Sequence, residues 1–268
     1  MQLWVLGSGS RGNAIVIDAG DTRILVDAGF PPRTLALRMR ACRIPPESVR
    51  AAIITHEHSD HVRGAAKAAA RWGWELHASA GTIRSCASLR RAHAFHAGQQ
   101  LRIGCVSVQT VRVSHDATEP IALVALDERT GVRAGIAHDL GCPNETLRRA
   151  LARVDVLLLE SNHDEGMLRT GPYPPFLQAR IAGARGHLSN GAAGALTRAL
   201  AHRALRDVVL MHLSEENNTP RVAHDTMAAA MRGTAFRGRL TPSRQQAPSG
   251  PFGPPAPPPR TRQLALGL

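Results

Sequence analysis

The order of segments along this 268-residue chain predicts a layered α/β sandwich, and three observations carry that prediction. Short apolar, β-branched segments crowd the first thirty residues. A second cluster of such segments runs from residue 101 to 137. Each cluster is followed by stretches with helical spacing, which suits two sheets covered by helices better than one parallel βαβ array.

Residues 1–6, 14–18 and 22–27 read as strands joined by Gly- or Asp-containing turns. Residues 32–42 have helical spacing with prolines at the first turn. Residues 51–55 form a short buried-type strand that runs straight into His-Glu-His-Ser-Asp-His. Residues 62–71 and 81–91 look helical, with strand-like residues 74–77 between them. Strands return at residues 101–113, 121–127 and 132–137. Helix and strand then alternate: helical 143–153, the apolar run 154–160, helical 191–203, strand 207–210 and helix 219–232. From Thr241 the chain is Pro-rich and has no acidic residue, a composition that buries too little apolar surface to order itself. The expected division is therefore a domain of residues 1–240 and a disordered tail of residues 241–268.

Composition excludes several classes. With 43% hydrophobic residues a sizeable core is available, so global disorder is ruled out. No window approaches the roughly 18 uncharged apolar residues of a membrane span. The start, MQLWVLGSGS, lacks the basic-then-apolar build of a secretory signal, and a cytoplasmic protein is expected. The four cysteines are widely spaced with no CxxC pair, which points to reduced thiols and away from a zinc ribbon. Lys and Arg number 33 against 21 Asp and Glu, a net charge of +12, and all but Lys67 are arginines. Arginine is the better bidentate partner for phosphate, so a polyanionic substrate fits. Aromatics, at 3%, are too few for a single-strand binder built on stacking platforms.

Gly7-Ser8-Gly9-Ser10-Arg11-Gly12 matches the dinucleotide fingerprint GxGxxG, but residues 13–18 after it read as a strand rather than a helix. A dinucleotide fold is rejected on that ground. What remains is either a tight hairpin or a turn whose backbone N–H groups touch phosphate. On the second reading Ser8, Gly9, Ser10 and Asn13 are substrate-binding candidates.

The strongest signal is Thr55-His56-Glu57-His58-Ser59-Asp60-His61. His56 and His58, two apart on extended backbone, point the same way and can share one cation. Asp60 and His61, where the chain turns into the next helix, face a second cation. Imidazole with carboxylate suits zinc, manganese or iron better than calcium.

On this motif the sequence resembles the metallo-β-lactamase superfamily, whose signature is HxHxDH after a buried strand. GSGSRGN, THEHSDH, SHDATEP, LLLESNHDEGML, RIAGARGHLSN and HLSEENNTP together resemble its YycJ/WalJ family, over residues 1–232. That branch is related to RNase J, RNase Z and the phosphonate-pathway phosphodiesterases. The resemblance implies the αββα four-layer sandwich and two divalent metal ions. It implies that His56, His58 and His115 hold one ion, that Asp60, His61 and His212 hold the other, and that Asp139 bridges them. Asp27 resembles the early Asp that orients a ligand. His138, beside Asp139, is expected to point to the opposite face if its strand continues. His163 has acidic neighbours and reads equally as structural or functional, while His77, His93, His96, His202 and His224 have no partner motif.

The implied activity is metal-dependent phosphodiester hydrolysis, with 5′-to-3′ exonuclease action on DNA rather than RNA and no membrane partner. A hydroxide bridging the two ions would attack phosphorus. Asp60 and His187 are the expected catalytic residues, with His187 binding phosphate, protonating the leaving oxygen, or simply capping the helix that follows. Ser189 and Asn190 precede an Ala-rich segment whose N-terminal N–H groups would form an anion site. Two alternatives share the fold: a thioester, lactone or cyclic phosphodiester hydrolase, and a metal-stabilised accessory protein without activity. The native metal and the oligomeric state are not read from the sequence. Residues 226–268 carry six arginines and no acid, which leaves the body, residues 1–225, with a net +6.

Overall fold

The structure is a computed structural model that describes residues 1–254. Three antiparallel strands, β1 (Gln2–Gly7), β2 (Ala14–Asp18) and β3 (Arg23–Val26), open the chain and are followed by helix α1 (Pro32–Ala41). Strand β4 (Ala51–Ile54), helices α2 (Ser59–Val62) and α3 (Ala65–Trp72), β5 (Glu75–Ser79), α4 (Ala80–Ser85) and β6 (His93–Phe95) complete the first half. The second half contains β7 (Gln100–Ile103), β8 (Val106–Arg112), β9 (Ile121–Asp127), β10 (Arg133–Ala137), α5 (Glu145–Leu151) and β11 (Val156–Glu160). It continues with α6 (Glu165–Thr170), α7 (Pro175–Ala182), α8 (Asn190–Leu200), β12 (Asp207–Met211), α9 (Pro220–Met231), β13 (Arg239–Pro242) and β14 (Ser249–Phe252).

The strands form two seven-stranded sheets, ordered β14-β1-β2-β3-β4-β5-β6 and β13-β12-β11-β10-β9-β8-β7. In each, antiparallel strands on one side give way to parallel ones on the other, β3 to β6 in the first and β10 to β13 in the second. The central strands are apolar on both faces because both are covered. Leu3, Ile15, Ile24 and Ile53 of the first sheet meet Val106, Leu123 and Val209 of the second in the inter-sheet core. The other face of the first sheet packs Leu25 and Ile54 under Leu35 and Met39 of α1 and Ala68 of α3. That of the second packs Leu157 and Leu210 under Leu147 of α5, Leu196 of α8 and Met227 of α9. These are the four layers αββα.

Several boundaries differ from the sequence reading. Residues 101–113 are not one strand: Gly104, at φ 56°, turns the chain between β7 and β8. Residues 81–91 are one short helix and a separate 3₁₀ turn at Ala87–Leu89. The helix expected from residue 62 is two, α2 and α3, parted at Gly64, whose Cβ position lies 1.9 Å from the Phe30 carbonyl oxygen. Helices α6 and α7 were not foreseen, and α7 buries no residue that could mark a period.

The expected disordered tail is corrected for residues 241–254. Strand β13 pairs with β12, and β14 pairs with β1, adding a strand to each sheet. Phe252 is buried in the inter-sheet core, and Gln245 accepts from the Arg11 amide at 2.8 Å while donating to the Gly12 carbonyl at 3.0 Å. Long-range pairing orders a segment whose own composition would not. The rest of the expected tail, residues 255–268, lies outside the described residues.

Candidate metal centre

The residues that converge here leave the C-terminal ends of strands in both sheets: Asp27 after β3, His56 after β4, His115 after β8, Asp139 after β10 and His212 after β12. Asp27, Asp139 and His212 take φ of 61°, 55° and 54°, three of five non-glycine residues in the left-handed region among the described residues. Such backbone is unfavourable for a side-chain-bearing residue and persists where the surroundings impose it. Here it ends each strand abruptly and turns the side chain into the rim between the sheets.

Asp27 is the fully buried knot of the site. One carboxylate oxygen accepts from the Thr55 amide at 2.8 Å, and the other lies 2.8 Å from His61 Nδ1 and 2.9 Å from the Thr55 hydroxyl. With Nδ1–H committed to Asp27, His61 turns Nε2 toward Asp139 Oδ2 at 2.9 Å and Asp60 Oδ2 at 3.3 Å. Asp60 Oδ2 also stands 3.4 Å from His212 Nε2. On the other side, His58 Nδ1 and His115 Nε2 are 3.3 Å apart beside His56, and the ring of His115 is fixed through Nδ1 on the Gly186 carbonyl.

Two donor sets result. Ligand atoms of His56, His58 and His115 all lie within 4.8 Å of one another, and so do those of Asp60, His61 and His212. A third such set, His56, His61 and Asp139, links the two. The chemistry of these groups fits a pair of cations. His56 Nε2 is buried with no hydrogen-bond partner, and burial together with the neighbouring His61 keeps the ring neutral, with a lone pair to give. Burial opposes charge on His61, yet Asp139 and Asp27 raise it well above the ordinary histidine range, and the negative field that favours a proton on Nε2 favours a cation in its place. Asp60 and Asp139 likewise stay ionised far below the usual carboxylate range despite burial, Asp60 through hydrogen bonds from His212 and His61, Asp139 through the charges of His212 and His61. Buried carboxylates that stay charged and a lone-pair nitrogen with no partner are what divalent ions stabilise.

His187 lies at the same rim. Its Nδ1 is 2.7 Å from Glu160 Oε1 and 3.4 Å from Asp139 Oδ1, and its ring stacks on His212 at 5.2 Å between centroids. Burial opposes its charge, but Glu160 first and Asp139 second keep it above the ordinary range. The cavity beside it, about 440 Å³, is lined among others by Ser10, His58, Asp139, Tyr173, Arg180 and His212.

The expected substrate-binding residues divide. Ser10 lines the cavity. Ser8 and Asn13 are buried and hold candidate ligands instead: the Ser8 hydroxyl accepts from the His212 amide at 2.8 Å, and Asn13 Nδ2 donates to Asp60 at 3.2 Å. Gly9 is buried under Gln245, whose Oε1 lies 2.6 Å from its Cβ position. The anion site expected at Ser189 and Asn190 is already filled by the protein. Ser189 caps α8 through the Ala192 amide and donates to Glu165, and Asn190 is buried among Ser161 and Asn218. His138 does not point away, because β10 ends at Ala137 and the chain turns at Asp139; it stacks on His61 and bonds Asp139 at 2.9 Å. His163 is buried and bridges to Ser189 by backbone pairing.

Two residues at the site were missed. Glu160 ends an apolar run and reads as the edge of a core strand, yet it is fully buried, aims His187 and accepts the Leu140 amide at 2.8 Å. Asp116, next to His115, stands 3.3 Å from His115 Nε2 and pairs with Arg180 Nε of α7 at 2.9 Å. Its signal was only its place beside a candidate ligand.

Residues 7–158 match the family model of the metallo-beta-lactamase superfamily. The exodeoxyribonuclease WalJ of Streptococcus pneumoniae is 33% identical over 233 residues, 83% of this chain and 85% of the relative. The exodeoxyribonuclease YycJ of Bacillus anthracis is 26% identical over 238 residues, 87% of this chain and 89% of its own. Among solved structures, the metallo-beta-lactamase fold protein YhfI of Bacillus subtilis superposes with a TM-score of 0.69 at 17% identity, over 93% of this chain and 99% of that one. Strand-end histidines and aspartates gathered in two facing sheets and the match over most of the chain lead to one conclusion: this chain belongs to the metallo-β-lactamase superfamily, in the family of the WalJ and YycJ proteins.

Proposed function

We propose that this protein is a metal-dependent hydrolase that acts as a DNA exonuclease, degrading 5′-phosphorylated strands in the 5′-to-3′ direction. The observation that carries the reading is the pairing of two three-residue donor sets through Asp139, in a chain similar over 83% of its length to an exodeoxyribonuclease. His56, His58 and His115 would hold one divalent ion and Asp60, His61 and His212 the other, with Asp139 shared. Zinc, manganese and iron all suit this mixture of imidazole and carboxylate. Bound there, the ions supply Lewis-acid polarisation of a phosphoryl oxygen and acidify the water nucleophile.

The chain's own residues do the rest. Asp27 and Thr55 fix the rings of His61 and His56, so that their free nitrogens face the centre. Asn13 and Ser8 hold Asp60 and His212 in place. Glu160 accepts from His187 Nδ1 and leaves Nε2–H of a protonated ring to give its proton to the departing oxygen. The catalytic unit runs through β14, to residue 254 rather than 240. Among the described residues no helix is long and apolar enough to cross a membrane.

The test is digestion of linear duplex DNA carrying a 5′-phosphate, beside the same duplex with 5′-hydroxyl ends and a closed circle, with added manganese or zinc. Release of mononucleotides from the phosphorylated duplex alone, abolished by chelation, is the expected result. Cutting of the closed circle, or no cleavage with any metal, would overturn the reading.

A further inference from the structure

The metal-centre cavity is acidic. Asp60, Asp116, Asp139, Glu215 and Glu216 line it beside four histidines and one arginine, Arg180; Asp116 engages Arg180, and Glu215 is paired with Arg11. Most of the body's arginines stand outside this lining, so a long polyanion has room for a second hold elsewhere on the surface.

That place is at the opposite end of β12. A cleft of about 470 Å³ opens there, lined by Arg203, Arg206, Asp207, Arg237, Gly238 and Arg239. The arginines are gathered by the fold. The Arg239 amide donates to the Arg206 carbonyl at 2.7 Å, and a Cβ on Gly238 would lie 2.1 Å from that same oxygen, so only glycine permits the crossing. Arg237 is fixed by donating to the Thr234 and Phe236 carbonyls at 2.8 and 2.6 Å. Asp207 is spent: one oxygen binds Arg239 Nε at 2.7 Å and the other accepts the Gly253 amide at 2.8 Å. Among the described residues, Arg203, Arg206 and Arg237 face no carboxylate within ion-pair distance. Three exposed guanidinium groups without counter-charge around one concavity are suited to phosphate oxygens.

We propose that this cleft is a second backbone-binding site, which grips the DNA phosphodiester chain at the rim opposite the metal centre. The proposal rests on the nuclease reading and specifies how such a substrate is held. Asp207 begins β12 and His212 follows its end. At ~3.3 Å per residue the two rims are therefore roughly 17 Å apart, the rise of about five nucleotides of a B-form strand. A dinucleotide at the metal centre cannot reach the cleft, whereas a long strand passing over the surface reaches both.

The test uses the metal-loaded full chain and a fluorescent 30-base-pair duplex with a non-cleavable phosphorothioate backbone, titrated across a series of salt concentrations. The charge-reversing pair Arg203→Glu with Arg206→Glu alters side chains that make no hydrogen bond in the fold. It is expected to weaken duplex binding at least about tenfold and to flatten the plot of log Kd against log salt by about 2, near 0.9 per lost phosphate contact. The pair Arg203→Lys with Arg206→Lys is expected to keep the wild-type slope. An unchanged slope in the reversed pair would overturn the proposal. Cleavage of the natural-backbone duplex by the unaltered protein, run in parallel, separates this failure from failure of the nuclease reading: if the duplex is cut but the slope is unmoved, only the cleft is wrong.

Discussion

Asp27 shows how much a single carboxylate can organise at this centre. It makes no contact with the cavity, yet it sets the tautomer of His61 and anchors Thr55 at the end of β4. Asp27→Asn keeps the shape and tolerates the left-handed backbone, but removes the charge facing His61. The expected outcome is a 10–100-fold loss of metal affinity, measured by competition with a chromophoric chelator. His187→Ala is expected to lower turnover about 10²–10⁴-fold while leaving metal content, read by elemental analysis, intact. Activity near wild type in that variant would remove the proton-donor role. Gly29 matters by its lack of a side chain, since a Cβ there would sit 1.6 Å from the Asp60 carbonyl oxygen. Gly29→Ala must therefore displace α2 with the candidate ligands Asp60 and His61, and the checkable result is a chain that folds but binds less metal than wild type.

Elements from different sheets are tied by polar groups as well as by the core. Glu119, in the connection between β8 and β9, accepts the Gly81 amide of α4 at 2.6 Å and the Ala97 amide after β6 at 3.0 Å. Glu119→Ala leaves both donors unpaired, an expected loss of about 2 kcal/mol by the usual cost of a stranded buried donor, measured by urea unfolding. Burial works against the Glu119 charge, but the Ala97 and Gly81 amides hold its carboxyl below the usual range. Its contribution is thus present above pH about 4.3, the ordinary glutamate value, and disappears as the pH falls through the lower folded-state value. The wild-type and Glu119→Gln unfolding free energies should accordingly converge in acid. The legibility of elements followed the same division between local and distant causes. Strands β2, β4, β9 and β11 were readable because their runs of apolar residues are local facts. Strand β14, with sequence Ser-Gly-Pro-Phe, was not, because β1, more than two hundred residues away, supplies its order.

Over the whole molecule, the seven candidate metal ligands could be picked out because each sits in a motif that follows a strand and has residue types with few other uses, and the structure brings all seven to one rim. Glu160 and Asp116 were not, since a carboxylate that aims another side chain leaves no spacing of its own. The location of the charge was misleading in a similar way: a net +12 says nothing about where the arginines stand, and the cavity with the ligands proves acidic. Ions that bind only the folded state stabilise all of it. At one hundred times Kd the gain is about 2.7 kcal/mol, so chelation should lower the unfolding midpoint by about 5–10 °C for a domain of this size, read by calorimetry with and without chelator.

Gln245 and β14 bear on how the protein is made. A ribosome that has released residues 1–240 has delivered every proposed metal ligand, but not the glutamine that pins Arg11 and Gly12, nor the strand that completes the first sheet beside β1. A nascent chain halted there carries all the chemistry and lacks its clasp. Competence as a nuclease would then follow only once β14 has been made, and a chain ending at residue 240 should purify with little bound metal.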